Sequence, residues 1–170
     1  MTLVRSASPR SLDLCVLGAA LLLGLAPAVQ ALDRATPYTQ ALAEAASVEG
    51  VTAAFYAARD YAPLWTGPAD AARRQVLLTA LDTAPAHGLP VARYDAARLR
   101  AGFAAAVTEG DRGRLEMAMT EAYLAFAADL SSGALVPKSV DGGILREVAR
   151  PDPGVLLARA AAPDLGVFLD

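Results

Sequence analysis

The chain has 170 residues, enough for one domain with a buried core and too few for a multidomain enzyme. Its net charge of −3, from 15 basic and 18 acidic residues, comes with no basic stretch able to track phosphates, which argues against a nucleic-acid partner. Cys15 is the only cysteine and His87 the only histidine, so an intrachain disulfide and a histidine-rich metal site are excluded by inventory.

Arg5 and Arg10 precede an apolar run from Leu14 to Leu25, followed by Pro27 and the small-residue stretch Ala28-Val29-Gln30-Ala31. This is the order of a secretory signal, with Val29 and Ala31 suited to the small side-chain pockets at minus three and minus one for cleavage after Ala31. The twelve-residue apolar run is too short to span hydrocarbon. The expected division is therefore a signal peptide over residues 1–31 and a soluble exported domain over 32–170, touching the membrane only through the signal segment. Cys15 leaves with the signal, and the remaining chain has no thiol.

Thr36-Pro37 opens a first helix through Ala46, with threonine as cap and proline in the first turn. After Gly50 a second run extends from Val51 to Asp60 and stops before Tyr61-Ala62-Pro63, because proline disfavours helical geometry in its predecessor. Thr66-Gly67-Pro68 opens a third helix whose apolar face is Val76, Leu77, Ala80, Leu81 and Ala84. Pro85 ends it, and His87-Gly88-Leu89 makes the turn. Asp95 caps a fourth helix carrying Leu99, Phe103 and Ala106, which ends at Gly110.

Asp111 or a neighbour starts the longest helix, with a stripe of Leu115, Met119, Ala122, Phe126 and Leu130 and an end at Ser131-Ser132-Gly133. Residues 134–150, with Pro137, Lys138 and Gly142-Gly143, form a loop. Asp152-Pro153 then starts a short helix through Ala162. No alternating β-branched run appears, so the expected fold is all-α, a small helical domain behind a cleavable signal. The partly apolar segment ending at Phe168-Leu169-Asp170 has no polar tail, and the reading frame is expected to continue beyond it.

The residues offer little catalytic chemistry. His87 reads as a helix-end residue beside free carbonyls rather than as a base. Asp129, Ser131, Ser132 and Lys138 read as a helix terminus and turn, not a nucleophilic cluster. Glu116 and Glu121 are five residues apart and do not share a helix face as an acid–base pair would. The aromatic group Phe55, Tyr56, Tyr61 and Trp65 reads as core, with tyrosine and tryptophan needing partners for their polar tips. No catalytic, cofactor-binding or metal-binding residue is assigned.

Three ordered blocks carry a family resemblance. The segment Phe55-Tyr56-Ala57-Ala58-Arg59-Asp60-Tyr61-Ala62-Pro63-Leu64-Trp65 resembles the opening of the scaffold domain in large murein L,D-transpeptidases of the YcbB type. Leu77-Leu78-Thr79-Ala80-Leu81 with His87-Gly88-Leu89-Pro90 and Tyr94 is similar to that family's helix, turn and following tyrosine. Leu115 through Leu130, including Thr120-Glu121-Ala122-Tyr123, with Gly133 and Pro137 beyond, is similar to its long helix and loop. The resemblance spans Ser47 to Ala162.

It implies the scaffold portion of a periplasmic enzyme that cross-links peptidoglycan stem peptides through a cysteine acyl-enzyme in a separate YkuD-type domain. That domain's histidine and Ser-x-Gly-Cys-x-Arg signature has no counterpart in these residues, so no catalytic residue is carried over. The implied partners are stem peptides and glycan, together with the catalytic and peptidoglycan-binding domains of the same polypeptide, and no cofactor is implied. The alternative is a stand-alone periplasmic helical adaptor that binds murein or protein without enzymatic activity.

Overall fold

The computed structural model describes residues 36–46, 50–135 and 148–170. The signal segment read at 1–31 and the loop residues Pro137, Lys138 and Gly142-Gly143 lie outside the described residues. Within them all regular structure is helical, as expected.

Helix α1 spans Pro37–Ala46, and the Thr36 hydroxyl accepts the Thr39 amide at 3.1 Å, the predicted cap. Helix α2, Gly50–Ala57, stops three residues short of the predicted Asp60. Its last turn closes with the Tyr61 amide donating to the Tyr56 carbonyl at 2.9 Å, and Asp60 and Tyr61 both take left-handed backbone, φ 51° and 56°. Two non-glycine residues in that region cost about 1–2 kcal/mol each. Something downstream must hold this turn in place.

A short 3₁₀ turn, Pro68–Asp70, leads into α3, Ala71–Asp82. Leu77, Ala80, Leu81 and Ala84 are buried as predicted, but Val76 is 37% exposed and Leu78 takes its place. The core-facing sector is rotated toward α4, where Arg100 donates to the Leu78 carbonyl, and Val76 is left on the opposite rim. Pro85 falls in a 3₁₀ turn, Ala84–His87, where its missing amide proton leaves no helical bond unmade. Gly88, at φ 71°, closes that turn in a conformation that favours glycine.

Helix α4, Ala96–Ala105, begins at Asp95, whose carboxylate accepts the Arg98 amide at 3.0 Å. It does not run to Gly110 as expected. Gly110 lies instead in the first turn of α5, Glu109–Ser132, whose cap is Thr108. The Thr108 hydroxyl accepts the Asp111 amide at 3.1 Å while Asp111 accepts the Thr108 amide at 3.0 Å, a reciprocal capping box that overrides the glycine break. Asp111 is thus the third helical residue rather than the start. Hydrogen bonds from the Thr108 hydroxyl and amide, then Arg114, pull its carboxyl down to about 2.

The predicted end of α5 holds: the Ser131 and Ser132 hydroxyls donate to the Ala127 and Ala128 carbonyls at 2.8 and 2.7 Å. Helix α6, Pro153–Ala161, is capped by Asp152, which accepts the Gly154 and Val155 amides. The final apolar segment forms α7, Leu165–Leu169.

Helix α5 is the spine. Helices α1, α4 and α6 lie directly on it, α2 packs against α1 and α6, and α3 packs against α4 and α7. Covered on several sides, α5 buries more than the predicted stripe. Met117, Thr120, Tyr123 and Ala127 are inside along with Leu115, Met119 and Phe126, whereas Ala122 and Leu130 are only partly covered. The main core gathers Trp65, Leu77, Leu81, Met119, Tyr123 and Phe126. A smaller cluster of Leu42, Ala46, Tyr56 and Met117 sits under α1.

The helices approach closely at Gly113 of α5, where an added Cβ would lie 2.5 Å from the Tyr38 carbonyl oxygen and 3.1 Å from the Leu42 amide nitrogen of α1. Both are backbone atoms and cannot rotate away. Gly113→Ala gains about 1 kcal/mol of helix propensity but forces α1 off α5, an overpacking cost of about 1–3 kcal/mol. Chemical denaturation is expected to show net destabilisation, and a more stable G113A protein would contradict the packing.

Candidate functional site

Two carboxylates of α5, Glu116 and Asp129, are buried in the domain. Each gathers partners from distant parts of the chain.

Glu116 is fully buried and receives five donors. Its Oε1 accepts the Tyr56 hydroxyl at 2.9 Å and the Leu64 amide at 2.6 Å, while its Oε2 accepts the Thr66 amide at 2.9 Å and the Thr66 hydroxyl at 2.7 Å. The Trp65 amide bridges both oxygens at 3.2 Å. Three consecutive amides converging on one carboxylate form an anion nest. The carbonyls of the same loop are taken by guanidinium groups: Pro63 by Arg59 at 3.3 Å, Leu64 by Arg73 at 3.4 Å and Trp65 by Arg74 at 2.8 Å.

This accounting explains how an irregular segment becomes core. A buried loop is normally excluded by its unsatisfied backbone groups. Here its N–H groups go inward to Glu116 and its C=O groups to arginines, leaving Leu64 and Trp65 free to bury completely. Thr120, one turn along α5, accepts the Trp65 indole N–H at 3.0 Å and shares a 2.6 Å hydrogen bond with the Tyr56 hydroxyl. The expectation that the aromatic group is core holds, with Tyr56 and Trp65 fully buried and Phe55 and Tyr61 partly so. The polar tips of Tyr56 and Trp65 find Glu116 and Thr120.

Asp129 lies in the last turns of α5, where the helix terminus already carries partial negative charge. Its Oδ2 accepts the Tyr94 hydroxyl at 2.9 Å and pairs with Arg93 Nε at 2.7 Å, and its Oδ1 faces Arg150 Nη1 at 3.6 Å without a hydrogen bond. Tyr94 packs edge-on against Phe126 at 5.2 Å. Burial, then the hydrogen bond to Asp129, push its hydroxyl up to about 12. His87 is exposed and meets the same Phe126 ring edge-on at 6.4 Å.

Neither carboxylate is placed for acid–base work. Glu116 is saturated with donors and sealed from water, and Asp129 is neutralised by two arginines. Ser131 and Ser132 are occupied with helix carbonyls, as the turn reading expected. No group of three or more His, Cys, Asp or Glu among the described residues could hold a metal ion. An open groove of about 510 Å³ runs between α3 and α7, with Ala72, Val76, Ala80 and Leu169 as its apolar lining and Gln75 and Thr79 on its rim.

In this all-helical domain the buried carboxylate Glu116 holds a loop of the chain in place. A family model described as a Scaffold domain matches residues 50–170, and the chain belongs to that family. Neither the curated proteins nor the solved structures yield a match.

The organising roles of Glu116 and Asp129 escaped the sequence reading. The five-residue spacing of Glu116 and Glu121 carries no hint of these roles. The available signal was an acid set among Leu115, Met117 and Met119, and another beside Phe126 and Leu130, both on the apolar helix.

Replacing Glu116 with Gln keeps the shape but turns one acceptor into an NH₂ facing the Trp65 and Thr66 amides. Hydrogen bonds to a charged group contribute about 1.5–3 kcal/mol, and stranded buried donors cost more. Glu116→Gln is expected to lose about 3 kcal/mol in denaturant unfolding and to red-shift Trp65 emission as the loop loosens; an unchanged midpoint would refute the clasp.

Burial raises four of the five tyrosines, Tyr38, Tyr56, Tyr94 and Tyr123, above the ordinary value of 10.0. Their neutral forms are favoured in the folded state, so this stabilisation is complete below pH 10 and is lost as pH rises beyond it. A spectrophotometric titration at 295 nm should show these four ionising together with alkaline unfolding. Reversible ionisation of all five in a folded protein near pH 10 would be inconsistent with the burial.

Proposed function

We propose that the chain is the scaffold portion of a periplasmic L,D-transpeptidase of the YcbB type, acting in peptidoglycan cross-linking without itself making or breaking bonds. The observation that carries this reading is the Scaffold-domain match over residues 50–170, which overlaps the three blocks that resemble the transpeptidase scaffold. In this reading the acyl-transfer chemistry belongs to a thiolate in another domain of the same polypeptide. The helical domain supplies a stiff platform against which that domain and the glycan-linked stem peptides are placed. Substrate placement of this kind lowers a barrier by orientation, which needs rigidity more than reactivity.

The internal chemistry supports that division of labour. The segment from Phe55 to Thr66 is fixed through both its donors and its acceptors, so the surface it presents is held to a single geometry. Export by the N-terminal signal places the platform in the periplasm.

The test is the size and location of the native product. An antibody raised against residues 32–170, used on envelope fractions of the producing cells, should detect a periplasmic band several-fold larger than the mature fragment. A stable band at fragment size would replace this reading with that of a stand-alone adaptor.

A further inference from the structure

The Glu116 carboxylate is met by the hydroxyls of Tyr56 and Thr66 and by the amides of Leu64, Trp65 and Thr66, at 2.6 to 3.2 Å. These donors do not depend on Glu116 alone for their positions. The loop is held from its carbonyl side as well, Pro63 by Arg59, Leu64 by Arg73 and Trp65 by Arg74. Each of those guanidiniums has an anchor of its own: Arg59 lies over the Phe55 ring at 5.2 Å, Arg73 pairs with Asp70 at 2.9 Å, and Arg74 lies over the Phe103 ring at 4.5 Å. Thr120 adds two further ties, accepting the Trp65 indole N–H at 3.0 Å and sharing a 2.6 Å hydrogen bond with the Tyr56 hydroxyl.

A set of donors braced independently of the ion it surrounds has the character of a receptor. Successive amides make an anion-binding concavity whichever molecule the anion belongs to. Here the donors divide between two oxygens: the Leu64 amide and Tyr56 hydroxyl serve Oε1, the Thr66 amide and hydroxyl serve Oε2, and the Trp65 amide lies between them. That division fits a planar two-oxygen anion and not a spherical one. Cutting Glu116 back to its Cβ removes a CH₂ and a carboxylate, which together are the heavy atoms of acetate. Leu64 and Trp65 are fully buried but Thr66 is only part-buried, so a small ion would approach beside Thr66.

We infer that the amides of residues 64–66, with the Thr66 and Tyr56 hydroxyls, are a preformed receptor for a small monocarboxylate, and that Glu116 is its ligand, tethered in the same chain. In the intact protein the receptor is filled. Emptied of its tethered occupant, it takes acetate or formate from solution.

The full chain carrying Glu116→Ala is titrated at neutral pH by replacing sodium chloride stepwise with sodium acetate, formate or butyrate, following the denaturation midpoint and the amide NMR signals of Leu64, Trp65 and Thr66. Acetate and formate are expected to raise the midpoint with concentration, as ligands of the folded state do, and to shift those amide signals. Butyrate overfills the space and should do neither. Adding Thr66→Val removes one charge-assisted hydrogen bond and is expected to weaken acetate binding about tenfold. Glu116→Gly removes the Cβ as well and should move the preference from acetate to propionate. Where Glu116→Ala is unfolded in chloride, recovery of the near-ultraviolet signature of Trp65 in acetate is the supporting result.

Equal effects of acetate and chloride, equal effects of acetate and butyrate, or a variant that no carboxylate stabilises would overturn the receptor. So would the same amide shifts in the wild-type chain, whose site is filled, or undiminished acetate binding by the folded double variant. Any of these results would leave the scaffold reading untouched.

Discussion

Everything in this domain hangs on a carboxylate placed where carboxylates are rarely found. Burying an ion costs several kcal/mol, and Glu116 is tolerated because five donors replace its water. The arrangement works in both directions. Without Glu116 the amides of Leu64, Trp65 and Thr66 would have no partner inside the core, and without that loop Glu116 would have to ionise in an apolar environment. The two left-handed residues, Asp60 and Tyr61, make sense only beside this exchange. Their conformational cost is offset by the contacts of the loop they direct inward, including complete burial of Trp65 against Tyr123 at 5.6 Å.

Helix α5 carries this clasp near one end and the Asp129 cluster near the other, and between them its aromatic residues tie it to its neighbours. Tyr123 donates to the Leu156 carbonyl of α6 at 2.7 Å, and Phe126 packs against Tyr94. Through Arg74, which donates to Trp65 and lies over the Phe103 ring at 4.5 Å, the clasped loop is also linked to α4. The domain is therefore cross-braced by polar contacts with strict geometry as well as by non-directional apolar packing. Such contacts leave few alternative arrangements of the same helices, which is the property a placement platform requires.

Much of the helical framework was legible because it is written in local chemistry. Thr36-Pro37, Asp95 and Asp152-Pro153 mark real starts, and Gly88 and Ser131-Ser132-Gly133 mark real stops, because caps and left-handed turns depend on a few adjacent residues. Where two local signals competed, the reading erred. Gly110 looked like a terminator, but the Thr108–Asp111 box satisfies two backbone amides and carries the glycine into the helix. Distance in sequence hid the rest. Glu116 meets partners 50 to 60 residues away, and whether Val76 or Leu78 faces inward depends on where α4 and α7 settle on α3.

The limits of the physical domain also differ from those of the family match. The match begins at residue 50, leaving α1 outside it, yet the most extensive helix contact in the fold is that of α1 with α5. Gly113 lets the two backbones approach closely, and Leu42 and Ala46 complete the small core that encloses Tyr56 and Met117. Tyr38 extends this cover toward the clasp: its hydroxyl is raised by burial first and by the charge of Glu116 second. A carboxylate that must stay dry needs a lid on each side, and here α1 is one of them. Helix α1, outside the matched range, thus helps keep water from the charge inside it.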